Sequence, residues 1–480
     1  MNMNFNMKTG NYLGGLAAVA LLAGCAVGPD YQRPATFGTN NVPAQFGDTS
    51  ITNAGEWKTA APAAQLPHGT WWTIYADNEL NRLETLAASN NQQIAVALAN
   101  YDVSRAALTV AQSGFYPQIN ATPSYTRQRN SSETFNSFNA TAQASWELDL
   151  WGRLRRQSES ARAQLAASAE DLESARLSVQ AQVAADYFNL RSLDRQSQLL
   201  NETAAAYRKT LQLTQDRHHS GIADELDVAE AETQLKAAEA QIPAVDLQRA
   251  QERHALAVLC GQAAGTFALT PGTTSSTNPP AIPLAVPSAW LERRPDIAAA
   301  ERSMAAANAN IGVAKAAFYP SVTLNGLAGF ESISASTLFD WPSRVWAVGP
   351  TLTLPLFTGG ATHAQLASAK AAYREAVANY RQTVLAAFQN VEDELAGQTL
   401  LAVQLERESA ALAEARRTYA LSLQQYKAGI LQYLNVITAQ TTMLNYALSE
   451  QQLQGQRLVT SVNLILALGG TAEPVAAKQP

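Results

Sequence analysis

The chain has 480 residues, with 34 Lys and Arg against 40 Asp and Glu, a net charge of −6 and 47% hydrophobic residues. A mildly acidic chain with no basic cluster is a poor nucleic-acid binder. There is no Gly-rich phosphate loop, G-x-S-x-G or H-E-x-x-H, and His68, His218, His219, His254 and His363 are scattered, so nothing frames an enzyme's chemistry.

Lys8 is followed by a mostly small and apolar stretch from Leu13 to Ala23, too short to span a bilayer and placed like a secretory signal. The next tetrapeptide, Leu22-Ala23-Gly24-Cys25, resembles the bacterial lipobox, in which cleavage before the cysteine leaves a thiol that carries lipid. Residues 1–24 are therefore expected to be a lipoprotein signal peptide and Cys25 the lipid attachment, with no other cofactor. The alternative is a buried cysteine at the end of a signal. Ala26, rather than Asp, after the cysteine points to outer-membrane delivery. Residues 25–78, rich in Pro, Gly, Thr and Asn, read as an extended leader.

A first structural unit is expected over 79–264. Apolar residues at helical spacing (Leu83, Leu86, Ile94, Leu98, Val103, Leu108) predict one helix from Glu79 to Gly114. Between Pro117 and Leu150 the period changes to 2, with Ala140, Ala142, Ala144, Trp146, Leu148 and Leu150 interleaved with polar residues. A proline-free helix is predicted from Gly152 to Ser220, turning at Gly221 into a returning helix that Pro243 should kink. Cys260, with no partner if Cys25 carries lipid, reads as a small buried hydrophobe.

After a linker, 265–294, the pattern recurs over 295–470, followed by a tail, 471–480. Phe115-Tyr116-Pro117 returns as Phe318-Tyr319-Pro320. The turn at Gly221-Ile222, with Leu226 and Val228 behind it, returns as Gly429-Ile430 with Leu434 and Val436. Val322, Leu324, Gly326, Ala328 and Phe330 alternate in one strand, and Trp346, Val348, Pro350, Leu352 and Leu354 in its partner. A second long helix is predicted from Ala361 to Ala428. A period this long means a duplicated structural unit.

After the signal there is no run of eighteen apolar residues, so any membrane crossing falls to the strands. Four strands of about ten residues suit a tilted crossing. An open sheet edge is not tolerated in lipid, and barrels begin at about eight strands, so several chains would have to share one barrel: two chains give eight strands, three give twelve. A soluble two-stranded ribbon for each pair is the alternative.

The residues that carry a family resemblance run through most of the mature chain: Cys25 to Tyr31 (CAVGPDY), Trp71-Trp72 with Asp77, Leu80 and Leu83, Trp146 to Arg153 (WELDLWGR), Arg293-Arg294-Pro295-Asp296, Phe318-Tyr319-Pro320 and Pro355-Leu356-Phe357. In this the chain resembles the outer membrane factors of Gram-negative bacteria, the TolC-like efflux channels, in their NodT-type lipoprotein branch. The resemblance implies an α+β membrane protein: a homotrimer whose four strands per chain build a twelve-stranded outer-membrane barrel, continued by a helical coiled-coil periplasmic tunnel. It further implies a duct without enzyme activity that exports small molecules such as drugs or toxic compounds, together with a periplasmic adaptor and an inner-membrane pump, commonly of the resistance-nodulation-division type. A duct for protein secretion and a lipid-anchored periplasmic spacer are the competing readings.

The Gly221 and Gly429 turns would then form the inner aperture. Asp224, Asp227 and Glu230, three apart, predict a carboxylate ring, although a helix N-terminus attracts acids in any case. The family's usual aperture aspartates fall here on Asn435 and Thr438, so negative charge is expected from the first hairpin. His218-His219 read as polar turn residues, because adjacent imidazoles on a helix diverge and no ligand cluster accompanies them.

Overall fold

The computed structural model describes residues 26–33, 69–269, 278–280 and 293–470. Cys25, the expected signal peptide over 1–24, most of the expected leader and linker, and the expected tail lie outside the described residues. Within them, helices α1 (Asn78–Asn90), α2 (Gln92–Ser113), α3 (Arg153–His219), α4 (Glu225–Leu259), α5 (Pro295–Ala316), α6 (Ala361–Lys427) and α7 (Tyr433–Ala467) alternate with strands β1 (Gln118–Arg129), β2 (Thr134–Leu148), β3 (Ser321–Ser332) and β4 (Arg344–Thr353). α3 and α6 have 67 residues each, and α4 and α7 have 35 each, as a duplication requires. No helix among the described residues is long and apolar enough to cross a membrane.

One difference from the sequence reading has a local cause. The single helix expected from Glu79 to Gly114 is broken at Asn91, which is extended (φ −67°, ψ 129°). Its Oδ1 accepts the amides of Gln93 at 2.8 Å and Ile94 at 3.1 Å, so the side chain caps α2 and supplies the partners that an unbroken helix would have provided. Pro243 lies inside α4, which continues through it as one helix.

The chain forms two compact units, each drawing on both repeats. One holds the described parts of 1–36, 99–169 and 299–382 and contains all four strands; the other holds those of 37–98, 170–298 and 383–480 and is helical. In the sheet unit the strands make one antiparallel sheet in the order β1-β2-β3-β4. The β1–β2 connection is an Asx turn: Asn130 Oδ1 accepts the amides of Ser132 and Glu133.

The helical unit centres on Trp71, Trp72, Tyr75, Leu80, Leu83, Tyr187, Phe188, Leu256, Cys260, Leu458, Val462 and Ile465. Asp77 starts α1 by accepting the amides of Glu79 and Leu80, and its other oxygen accepts from Tyr187 Oη at 2.7 Å. Cys260 is fully buried, as its apolar neighbours suggested, and burial pushes its thiol up to about 11.

Glu84 is a misfit in that unit. It is 0% exposed, and neither carboxylate oxygen has a hydrogen-bond partner among the described residues. Desolvation pushes its carboxyl up to about 9. Between the unfolded value of about 4.5 and that folded value, the native chain holds a proton that the unfolded chain has released, so stability falls as pH rises through this window. We predict that thermal midpoints of the wild type decline from about pH 5 to about pH 9 and that Glu84→Gln flattens the profile. Parallel profiles would show that the carboxyl is not held protonated.

Candidate functional site

Antiparallel partners share a face of a sheet, and successive residues alternate faces. The register therefore sorts all four strands at once. On one face lie Ile119, Ala121, Pro123 and Tyr125 of β1; Phe138, Ala140, Ala142, Ala144, Trp146 and Leu148 of β2; Val322, Leu324, Gly326, Ala328 and Phe330 of β3; and Trp346, Val348, Pro350 and Leu352 of β4. On the other lie Gln118, Asn120, Thr122, Ser124 and Thr126, then Ser137, Asn139, Thr141, Gln143 and Ser145, then Thr323 and Asn325, then Thr351 and Thr353, with Phe135, Leu327, Val345 and Ala347 as its apolar members.

The apolar face is not covered: Trp346 is 78%, Val348 67% and Leu352 66% exposed. An exposed apolar patch of this kind marks a surface that meets a membrane or another protein. β1 and β4 also leave one backbone edge each without a ladder partner in the sheet.

The ends of the strands that join the helices are fastened by the motif residues Trp146 to Arg153. Trp146 Nε1 donates to Phe115 O at 2.9 Å, and Trp151 Nε1 donates to Pro320 O at 2.7 Å, so each Phe-Tyr-Pro copy is gripped by an indole. Trp151 also stacks on Tyr319 with ring centroids 4.9 Å apart. Arg153 closes a bidentate pair with Glu147, and Asp149 caps α3 by accepting the amides of Leu154 and Arg155.

Residues 26–33 lie against this junction. Val27 donates its amide to Trp151 O at 3.0 Å, Asp30 pairs with buried Arg156 at 2.6 Å, Tyr31 Oη donates to Glu301 at 2.6 Å, and Arg33 donates to Tyr380 Oη at 2.9 Å. Gly28 and Gly312 meet face to face: a Cβ on Gly28 would come within 2.5 Å of Gly312 Cα, so only glycine fits there.

The hairpin turns of the helical unit are built alike. Gly221 (φ +72°) and Gly429 (φ +74°) take the left-handed conformation that ends a helix. The amides of Ile222 and Ile430 reach back to Arg217 O and Gln425 O, both at 2.9 Å, completing the same capping motif in each repeat. Asp224 is the exposed residue just before α4 and is extended, so helical spacing links only Asp227 and Glu230, both half-buried. Asn435 and Thr438 are exposed on α7. His218 Nδ1 lies 2.9 Å from Ala223 O, within the turn itself.

Asp227 is tied to the second hairpin: it accepts from Tyr426 Oη at 3.5 Å. Burial, and then the Asp224 charge, raise its carboxyl above the ordinary aspartate range, against the opposing effects of Tyr426 and Arg217. Arg217, unremarked in the sequence, donates Nη1 to Lys427 O at 3.1 Å and places its guanidinium 4.9 Å from the Tyr426 ring centroid. Tyr426 packs on Tyr433 with centroids 5.1 Å apart, beside buried Ala231 and Val436. A sequence signal for Tyr426 was available in its place three residues before the turn glycine; Arg217 carried none that distinguished it from other surface arginines.

Comparison with known proteins extends these observations. Residues 83–262 and 286–470 match the family model described as outer membrane efflux protein. The toluene efflux pump outer membrane protein TtgC of Pseudomonas putida is 32% identical over 462 residues, covering 94% of this chain and 93% of its own. The cation efflux system protein CusC of Escherichia coli is 30% identical over 454 residues, covering 94% of this chain and 96% of its own. Among solved structures, the outer-membrane channel OprN superposes with a TM-score of 0.82 at 27% identity over 94% of this chain and 100% of that one. The open state of the Neisseria gonorrhoeae MtrE channel does so with a TM-score of 0.80 at 28% identity, over 93% and 98%.

Proposed function

The chain belongs to the outer membrane efflux protein family, and from that membership we propose how its parts form an exit duct. It is an efflux channel protein of the outer membrane of a Gram-negative bacterium. In the reading we favour, three copies join β4 of one to β1 of the next, closing a twelve-stranded barrel with the apolar face toward lipid and the Asn, Gln, Ser and Thr face toward a water-filled lumen.

One observation carries this: a single register gathers an apolar stripe on one face of all four strands, sets most of the Asn, Gln, Ser and Thr side chains on the other, and leaves both edges open. An open edge in lipid would leave backbone amides and carbonyls without partners, each costing several kcal/mol, and closure through further copies removes them. The long hairpins then continue the duct as a periplasmic tunnel whose narrow end is the pair of Gly turns. A periplasmic adaptor and an inner-membrane pump, of the resistance-nodulation-division type, would deliver small toxic molecules to it.

Lipid on Cys25 fits the same geometry. One peptide unit, about 3.8 Å, separates position 25 from Ala26. A Cβ on Gly152, at the strand exit, would come within 2.8 Å of the Ala26 Cβ, so the anchor would leave the chain at the foot of the strands. The expected result is an outer-membrane protein that runs on gels as a heat-sensitive trimer and takes up labelled palmitate, the label being lost in Cys25→Ala. A monomer under mild detergent extraction would contradict the shared barrel, and label retained by Cys25→Ala would contradict the anchor.

A further inference from the structure

The charges in the sheet are sorted by sign and by face. Across β1 to β4 the only charged residues are Arg127, Arg129, Glu147, Glu331 and Arg344. Arg127 pairs in register with Asn136 and Arg129 with Thr134, which puts both on the apolar face; Arg344 pairs with Phe330 and shares it. Glu147 and Glu331 pair with Thr323 and Asn139 and fall on the polar face. All three cations are also at the hairpin end of the sheet, away from the ends that join the helices. Charge at mid-depth would be destabilising, so this end, at the boundary of the apolar band, is where an outward arginine is tolerated.

Among the described residues these arginines have no acidic ion-pair partner, although Glu133 and Asp340 lie in the adjoining connections. Arg344 is held by its own loop, donating Nε to Trp341 O at 3.0 Å, with its guanidinium over the indole. In the same β3–β4 connection Ile333, Phe339 and Trp341 are 72%, 72% and 74% exposed, and Phe339 packs on Phe330, the register partner of Arg344.

β1 and β4 are the two edges. In the shared barrel, which this step takes from the proposed function, Arg344 of one copy stands at the same end and on the same outward face as Arg127 and Arg129 of the next. Like charges brought together across a seam repel, and an anion bound there would relieve the repulsion. We propose that each seam of the trimer binds a phosphorylated glycolipid of the outer leaflet, its phosphates held by Arg127, Arg129 and Arg344 and its acyl chains lying on the apolar face. Arginine suits the role because its planar fork pairs with phosphate in two directions and stays charged at any relevant pH.

The test compares the wild-type trimer with the triple variant Arg127→Gln, Arg129→Gln, Arg344→Gln in vesicles of neutral phospholipid containing diphosphorylated lipid A, the same lipid A without phosphates, or inorganic phosphate alone. The expected result is a higher trimer dissociation temperature for the wild type with diphosphorylated lipid A only. Retention of that lipid should be roughly a hundredfold weaker in the variant, on the order expected for three arginines at an anionic lipid surface, while trimer formation and conductance are kept. Equal retention by both proteins, or an equal shift with inorganic phosphate, would overturn the lipid site. A wild type that forms no trimer in these vesicles would instead overturn the barrel reading beneath it.

Discussion

Ala142→Arg should abolish assembly in the membrane, while Gln143→Arg, one residue along the same strand, should leave a trimer. Ala142 stands between Ala121 and Ala328 at the middle of the apolar face; Gln143 stands between Asn120 and Leu327 on the other. An arginine facing lipid at the midplane of a barrel costs about 2–4 kcal/mol per chain, and three copies incur it together. The same residue facing a water-filled lumen costs little and should reduce cation flux. Gel migration of membrane fractions without heating reads the outcome: trimer for the second variant, none for the first. Equal tolerance of both would mean that the two faces meet the same medium.

The second large effect concerns the hairpin ends. Arg217 and Tyr426 join the two hairpins of one chain: a guanidinium bonded to the last carbonyl of α6 and stacked on its tyrosine, and that tyrosine bonded to Asp227. A hydrogen bond from a charged group contributes about 1.5–3 kcal/mol and the ring contact about 0.5–2 kcal/mol, in each of three copies. Arg217→Ala with Tyr426→Phe should therefore loosen the aperture and raise single-channel conductance several-fold. Asp227→Asn should weaken cation preference. Because the Asp227 carboxyl is raised, that preference should also begin to fall on acidification at a pH above the ordinary aspartate range. Unchanged preference in Asp227→Asn would remove this carboxylate from the conducting path.

The sequence carried the architecture because its signals were long or repeated. The two proline-free stretches became helices of 67 residues, each within a residue or two of the ends that Gly221 and Gly429 suggested. The alternation Val322 to Phe330 became β3, and its partner became β4. The break at Asn91 was hidden because apolar spacing continues across it; only the side chain's bonds to Gln93 and Ile94 explain it.

At the aperture the acids were legible and their partners were not. A pairing between residues 227 and 426 leaves no local trace, and Asp224 fell out of the expected helical face because α4 begins one residue later. Glu84 was silent for a related reason: within an amphipathic pattern, a carboxyl aimed into the core reads the same as one aimed into solvent. The sorting of arginines by face became readable once the register was known, since a slip of one residue would have reversed it.

Single-channel conductance in a planar bilayer, measured on natively extracted protein carrying Arg217→Ala and Tyr426→Phe, tests the shared duct most directly. Discrete, cation-preferring steps from a trimeric preparation are predicted. A silent bilayer from an intact trimer with its tips loosened in this way would contradict the account.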